Sequence, residues 1–308
     1  MHIKHLISVK QFKDRKELEK IFSLADKMEK CCIKNIQRES LRGKILGTIF
    51  YEPSTRTRFS FESAMCRLGG NVITADNALS SSSAAKGETL ADTIKVISGY
   101  VDVIVLRHPQ EGSSKIASES SLVPVINAGD GAGEHPSQAI LDLYTIKKEI
   151  GRIDNFEIAF VGDLLYGRTV HSLIQLISLC ENVKIYLISP TQLMLPQKYK
   201  DYLKEKKIEF EESVTLEKKI LEKIDVLYVT RIQKERFKSE QEYAKLKDSY
   251  IIDKRILSQL KKIARIMHAL PRVNEIFSEV DNDKRAAYFR QAKNGLYLRM
   301  ALLEVILT

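Results

Sequence analysis

Cysteine is scarce in this chain: four in 308 residues, an adjacent pair at Cys31 and Cys32, then Cys66 and Cys180. None forms CxxC or stands at zinc-like spacing with histidine. That excludes a disulfide framework and a metal site as organising devices, and predicts reduced thiols in a cytoplasmic protein. No apolar run approaches the roughly 20 residues needed to span a bilayer, so no membrane partner is expected. The opening MHIKHLISVKQF lacks the apolar core and small-residue cleavage site of a secretory signal. Acidic residues are outnumbered, 40 Asp and Glu against 49 Lys and Arg, for a formal charge of +9. Much of that excess lies in segments such as Lys198 to Lys207 and Lys254 to Lys262, where lysines alternate with glutamate and apolar residues as on solvated helix faces. No recognition helix, finger or RNP-like pattern accompanies them, so nucleic acid is not expected as a partner. Neither common nucleotide loop is present. Val161-Gly162-Asp163 continues as Leu164-Leu165-Tyr166-Gly167, whose side chains disfavour a close pyrophosphate, and Gly43-Lys44 lacks the rest of a P-loop. No cofactor is expected.

What is present is an alternation of apolar runs and helical patterns from end to end, on a composition 44% hydrophobic and 29% charged. It predicts an α/β protein of two domains, each a parallel sheet covered by helices on both faces. Strands are expected over Ile45–Phe50, Asn71–Thr74, Val101–Leu106 and Val123–Asn127, then Glu157–Val161, Val183–Ile188, Val226–Thr230 and Arg265–Ala269. Helices are expected over Arg56–Leu68, Thr89–Gly99, Arg168–Cys180, Pro196–Lys206 and Arg285–Ile306. A further helix, Pro136 to Ile150, follows the glycine-rich NAGDGAG and ends at Gly151, a natural strut between two domains. The patch Ser80 to Ala85 is too small and polar to pack and reads as a mobile loop.

The segment FYEPSTRTRFSFESAM (50–65) is the richest in chemistry. A buried strand gives way at Pro53 to Ser54-Thr55-Arg56-Thr57 at a helix start. Hydroxyls, a guanidinium and unpaired helix amides there make a phosphate site. An ordinary capping cluster would look the same at this level. Arg58 points away from Arg56 and meets Glu62 one turn on, a structural pair.

In open parallel sheets ligands gather beyond the carboxyl ends of strands. Polar residues recur there: Arg107-His108-Pro109; a flexible loop leading to His135-Pro136-Ser137-Gln138; Gly162-Asp163 then Tyr166-Gly167-Arg168; Arg231 and Gln233; and His268 with Leu270-Pro271. His135 also reads as a capping or core histidine, and His268 as structural. Four arginines at four strand ends (Arg56, Arg107, Arg168, Arg231) imply an anionic partner, because buried unpaired guanidinium groups are costly.

Taken together, PSTRTRFSFESA, KGETLADT (86–93), VLRHPQEG (105–112), NAGDGAGEHPSQAILDL (127–143), VGDLLYGRTVHSL (161–173), TRIQKERF, ALPRVNEI (269–276) and QAKNGLYLRMALL (291–303) resemble the carbamoyltransferase family over nearly the whole chain. TRIQKERF and HPSQAILDL place the resemblance in its aspartate branch. The HCLP segment and SMG loop of ornithine enzymes are absent.

The resemblance implies a carbamoyl-phosphate domain (1–134 plus 287–308), an interdomain helix (135–150) and an aspartate domain (151–286), linked by two interdomain helices. It implies carbamoyl transfer from carbamoyl phosphate to L-aspartate, giving N-carbamoyl-L-aspartate and phosphate, the committed step of pyrimidine synthesis. Ser54, Thr55, Arg56 and Thr57 would hold phosphate. Arg56, Thr57, Arg107 and His135 would polarise the carbamoyl carbonyl. Gln138 and the carbonyls of Leu270 and Pro271 would orient the amide, and Arg168, Arg231 and Gln233 would clamp aspartate. Ser82 and Lys86 would reach into a neighbouring subunit's site, making a homotrimer the active unit. The length and HPQEGSSKIASE (108–119) resemble chains that assemble as two trimers with zinc-bearing regulatory dimers. Three departures stand out: Ala85 before Lys86, Ala269 in place of a usual proline, and Asn274 in place of a usual aspartate. A carbamoyltransferase using another amine, such as ornithine or putrescine, and a catalytically silent relative are the competing readings.

Overall fold

A computed structural model describes residues 3–78, 87–233, 237 and 239–308. The chain divides into two units, 1–141 with 292–308, and 142–291. Both boundaries fall inside helices, Pro136–Ile150 and Tyr288–Leu307.

The first unit is built on a four-stranded parallel sheet: β1 (Ile45–Phe50), β2 (Asn71–Asp76), β3 (Val103–His108) and β4 (Val125–Asp130), in the order β2-β1-β3-β4. β1, β3 and β4 are nearly continuous buried runs, as strands covered on both faces must be. Its helices are α1 (Arg15–Ile33), α2 (Thr55–Arg67), α3 (Leu90–Ile97), α4 (Ser113–Ser120), the start of α5 (Pro136–Ile150) and most of α11 (Tyr288–Leu307). α2 shows how local chemistry fixes an element. Phe61, Ala64, Met65 and Leu68 are fully buried at helical spacing, each large one worth about 1.5–3 kcal/mol of transfer free energy. The helix stops in a Schellman turn: Gly69, at φ +83°, donates to the Cys66 carbonyl, and Gly70 donates to that of Met65. Arg58 pairs with Glu62 at 3.7 Å and with Asp76.

The second unit carries β5 (Phe156–Val161), β6 (Val183–Ile188), β7 (Glu209–Ser213), β8 (Val226–Val229) and β9 (Arg265–His268), all parallel, in the order β7-β6-β5-β8-β9. The second part of α5, then α6 (Arg168–Ile177), α7 (Gln197–Glu205), α8 (Lys218–Leu221), α9 (Glu240–Leu246) and α10 (Lys254–Gln259) connect and cover them. Among the described residues no helix is long and apolar enough to cross a membrane.

Four expectations are corrected. β7, EFEES, has no apolar run to announce it, because it is an exposed sheet edge with Lys184 bridging Glu209 and Glu211 from β6. The last helix begins at Tyr288 rather than Arg285, whose guanidinium instead binds Asp283 and the carbonyls of Leu257 and Leu260. β3 runs on through Arg107 and His108, so Arg107 is a strand residue paired with Phe50. The loop before His135 is pinned rather than flexible. Buried Asp130 accepts from Asn127 and the Glu134 amide through one oxygen, and from the Gly112 amide and Ser114 through the other, all at 2.9–3.1 Å. The serine patch 80–85 lies outside the described residues.

Candidate active site

Both sheets reverse their winding direction once, and each reversal opens a crevice at the strand carboxyl ends. In the first unit it lies between β1 and β3, in the second between β5 and β8. Ser54 to Thr57 and Arg107 stand at the first and Arg168, Arg231 and Gln233 at the second, whereas His135 and Gln138 follow β4, and Leu270 and Pro271 follow β9.

At the first, β1 delivers Glu52, Pro53 and Ser54 beside Arg107 of β3. Ser54 is the N-cap of α2, yet its hydroxyl makes no capping bond. It accepts from the Arg107 guanidinium at 3.4 Å, while Arg107 Nε lies 3.3 Å from Glu52. The amides of Thr55, Arg56 and Thr57 have no acceptor among the described residues. The positive end of a 13-residue helix thus stands open. Arg56 follows the same pattern. Among the described residues its guanidinium has no carboxylate; the residue is exposed overall, but desolvation of the charged group pulls its pKa below the ordinary value, though it stays charged at physiological pH. Thr57 is buried. These facts decide against the capping reading, since a capping serine would spend its oxygen on the amides left open here.

His135 and Gln138 open α5 in the same unit, and both side chains are buried. The His135 carbonyl accepts from the amides of Gln138 and Ala139, so its backbone caps the helix. Its ring Nδ1 lies 3.5 Å from the Ser137 hydroxyl. Glu134 ties this corner to the N-terminal segment, accepting from the Ser8 hydroxyl at 2.6 Å and the Val9 amide at 2.8 Å. Burial nevertheless pushes its carboxyl pKa upward.

At the second crevice, Gly162 has φ +116° and leaves no room for a Cβ against Thr230. β5 and β8 therefore approach closely where their loops diverge. Asp163 is wholly buried. It accepts from the Tyr166 amide at 2.9 Å and from Gln233 Nε2 at 3.4 Å, and Gln233 also donates to the Tyr166 carbonyl. Burial raises the Asp163 pKa to about 6, with these bonds opposing. Arg168 opens α6 and Arg231 follows β8, both half-buried. Beyond β9, Leu270 sits at φ +57° before a cis Leu270-Pro271 bond. His268 is buried, with its ring Nε2 2.9 Å from the Glu275 carboxylate.

Ser82, Ala85 and Lys86 lie outside the described residues. Asn274 donates to Asp248 at 3.2 Å. Glu52 escaped sequence reasoning, and Asp163 was placed at its strand end without its hydrogen-bond partners. Each is an acid in a neighbourhood recognised by its cations, and only strand adjacency shows which basic or amide group it holds. The placement of Glu52 directly before Pro53 was the one available signal.

Residues 4–148 match the family of the aspartate/ornithine carbamoyltransferase carbamoyl-P binding domain, and residues 154–306 that of the aspartate/ornithine carbamoyltransferase Asp/Orn binding domain. The chain belongs to the aspartate/ornithine carbamoyltransferase family. Among its relatives, the aspartate carbamoyltransferase catalytic subunit of Methanocaldococcus jannaschii is 55% identical over 305 residues, covering 99% of this chain and 98% of that one. A crystal form of the M. jannaschii catalytic subunit superposes with a TM-score of 0.89, covering 98% of this chain and 97% of that one at 55% identity. Aspartate transcarbamoylase from Trypanosoma cruzi, solved with carbamoyl phosphate and aspartate, is 38% identical. It superposes with a TM-score of 0.95, covering 100% of this chain and 98% of that one.

Proposed function

We propose that this chain transfers the carbamoyl group of carbamoyl phosphate to the amino group of L-aspartate, releasing N-carbamoyl-L-aspartate and phosphate, in pyrimidine synthesis. The observation that carries the reading is the helix end of α2, where among the described residues the first amides have no acceptor and Arg56 has no carboxylate. Such a place takes a dianion. Ser54, Thr55, Arg56 and Thr57 bind the phosphate. Arg56, Thr57, Arg107 and His135 converge on the carbamoyl oxygen, and Gln138 with the Leu270 and Pro271 carbonyls orients the carbamoyl amide.

Aspartate is held by Arg168, Arg231 and Gln233, one planar cation for each carboxylate. Two arginines suit a dicarboxylate and repel ornithine or putrescine. The amine lone pair attacks the carbamoyl carbon and a C–N bond forms. Negative charge then gathers on the carbamoyl oxygen, and the C–O bond to phosphate breaks as the oxyanion collapses. The departing phosphate takes the amine proton. The leaving group is already competent, so positioning and oxyanion stabilisation supply the acceleration.

Lys86 and Ser82 complete the site of a neighbouring copy in a homotrimer on this reading. Mixing Lys86→Gln chains with Arg56→Ala chains should restore activity, and no recovery after confirmed subunit exchange would place Lys86 in its own chain's site. On this reading a zinc-bearing regulatory chain, giving two trimers with three regulatory dimers, is the further partner that the length and the segment 108–119 suggest. The test of the function itself is direct. The purified chain with carbamoyl phosphate should yield carbamoyl aspartate from L-aspartate and no product from ornithine or putrescine. Product from either diamine, or none at all, overturns the assignment.

A further inference from the structure

The second unit contains a continuous buried hydrogen-bond chain that no step above uses. It begins at Tyr228 of β8, whose hydroxyl donates to Asp142 of α5 at 2.7 Å. The other Asp142 oxygen accepts from Gln291 Nε2 of α11, also at 2.7 Å. Gln291 Oε1 accepts from the His268 backbone amide at 2.9 Å. The His268 ring then accepts the Leu270 amide on Nδ1 at 2.7 Å and contacts Glu275 through Nε2 at 2.9 Å. Glu275 closes the chain by accepting from the amides of Val273 and Asn274. Tyr228, Asp142, Gln291, His268 and Glu275 are all buried.

The direction of these bonds is set by chemistry. A backbone N–H can only donate, so Nδ1 of His268 presents its lone pair and the ring proton sits on Nε2, which donates to the Glu275 carboxylate. Glu275 is held on the charged side: burial pushes its pKa up, but the bonds from His268 and the Val273 amide outweigh this and leave it lowered. Both ends of the segment 270–274 are thereby fastened, Leu270 through Nδ1 and Val273-Asn274 through Glu275. The two residues whose carbonyls are offered to the carbamoyl amide lie at its start. Leu270 holds a left-handed backbone, which a leucine adopts only when its surroundings impose it.

We infer that His268 is a positioning residue for carbamoyl recognition: with Gln291 and Glu275 it fixes the Leu270-Pro271 turn so that its carbonyls select an amide over a methyl group. The inference rests on the function proposed above and specifies what makes the donor site read carbamoyl. Acetyl phosphate is the probe, since it keeps the phosphate and carbonyl but puts CH3, which cannot donate, in place of NH2. Wild-type chain should bind carbamoyl phosphate more tightly than acetyl phosphate, and inorganic phosphate should report the α2 site alone.

Two variants separate the ring nitrogens. His268→Asn keeps an acceptor near the Nδ1 position, whereas His268→Gln keeps a donor near Nε2 and loses the acceptor. The expected result by calorimetry is a fall of tenfold or more in the carbamoyl-over-acetyl preference for His268→Gln. The Asn variant should retain most of the preference, and inorganic phosphate should bind both variants as it binds wild type. A His268→Gln chain that is folded and keeps the wild-type preference overturns the inference, as does equal loss in both variants. Should His268→Gln fail to fold, Glu275→Gln decides. It preserves shape but replaces one acceptor oxygen by a donor, so the preference should drop, and an unchanged preference overturns the inference. Failure of the function is distinguishable, because it would show as wild-type chain forming no carbamoyl aspartate.

Discussion

The two crevices handle charge in opposite ways. In the first unit the α2 end is left electrostatically open, with three amides lacking acceptors and Arg56 without a carboxylate among the described residues. In the second unit a wholly buried acid, Asp163, sits under the loop, bound by the Tyr166 amide and Gln233. A phosphate can be recognised by charge and helix dipole with little else. An amino acid brings an amine between two carboxylates, so its site must discriminate, and a rigid polar framework serves that better than raw charge. The first crevice is built for strength, the second for selection.

The comparison breaks first at Arg56. Removing it should lower turnover by at least about a hundredfold, the scale for one oxyanion donor, with aspartate binding less affected. Steady-state kinetics of Arg56→Ala check this; turnover within a few-fold of wild type would sink the role. In the second unit, Arg231→Ala should weaken aspartate binding by about 2 kcal/mol or more, roughly thirtyfold, as loss of a desolvated charge partner does. Carbamoyl phosphate affinity should change far less. Calorimetry showing equal losses for both ligands would erase the division of labour between units.

The buried acid offers a pH test of the selecting crevice. Asp163 is raised from 3.8 to about 6 in the folded chain, so the folded state holds its proton more tightly than the unfolded one. Its contribution is then fully present below pH 3.8 and is lost as pH rises through about 6. Asp163→Asn removes that loss. The variant's stability relative to wild type should therefore increase between about pH 4 and pH 7. The increase across that range is about 3 kcal/mol, on top of a pH-independent cost of about 1–2 kcal/mol because the new amide must share Gln233 and the Tyr166 amide. Thermal melts over that range decide it: a difference independent of pH would show that Asp163 is ionised at no cost.

Much of the fold was legible because its strands are apolar runs with turns between them. β7 was not, since an exposed edge carries glutamates instead of a hydrophobic pattern. Arginines at strand ends announced the site, because a cation beside a buried strand needs a reason. Glu52, the role of Asp163 and the chain from Tyr228 to Glu275 stayed hidden for a physical cause: their meaning lies in partners that the sequence does not place beside them. Asp142 and Gln291 are 149 positions apart yet share a hydrogen bond of 2.7 Å. Register and strand order supply such pairings, and side-chain identity alone does not. The flexible loop expected before His135 failed similarly. Its glycines suggested freedom, but Asp130 uses both oxygens to tie it down.

The smallest expected effect separates the open helix end from an ordinary cap. A serine that caps its helix costs about 0.5–2 kcal/mol when replaced by alanine. Ser54 occupies the N-cap position, but its hydroxyl accepts from Arg107 rather than from the α2 amides. That bond, at 3.4 Å and partly exposed, is weak. Ser54→Ala should therefore change the stability of the free chain by no more than about 0.3 kcal/mol, below the range for a lost cap. Phosphate affinity should fall about tenfold, because one hydroxyl contact to an anion is worth about 1.5 kcal/mol or more. Both readings come from one variant, a denaturant curve without ligand and a phosphate titration. A stability loss of 1 kcal/mol or more with phosphate binding unchanged would make Ser54 a cap after all, and the first crevice would then hold its ligand through Arg56 and the amides alone.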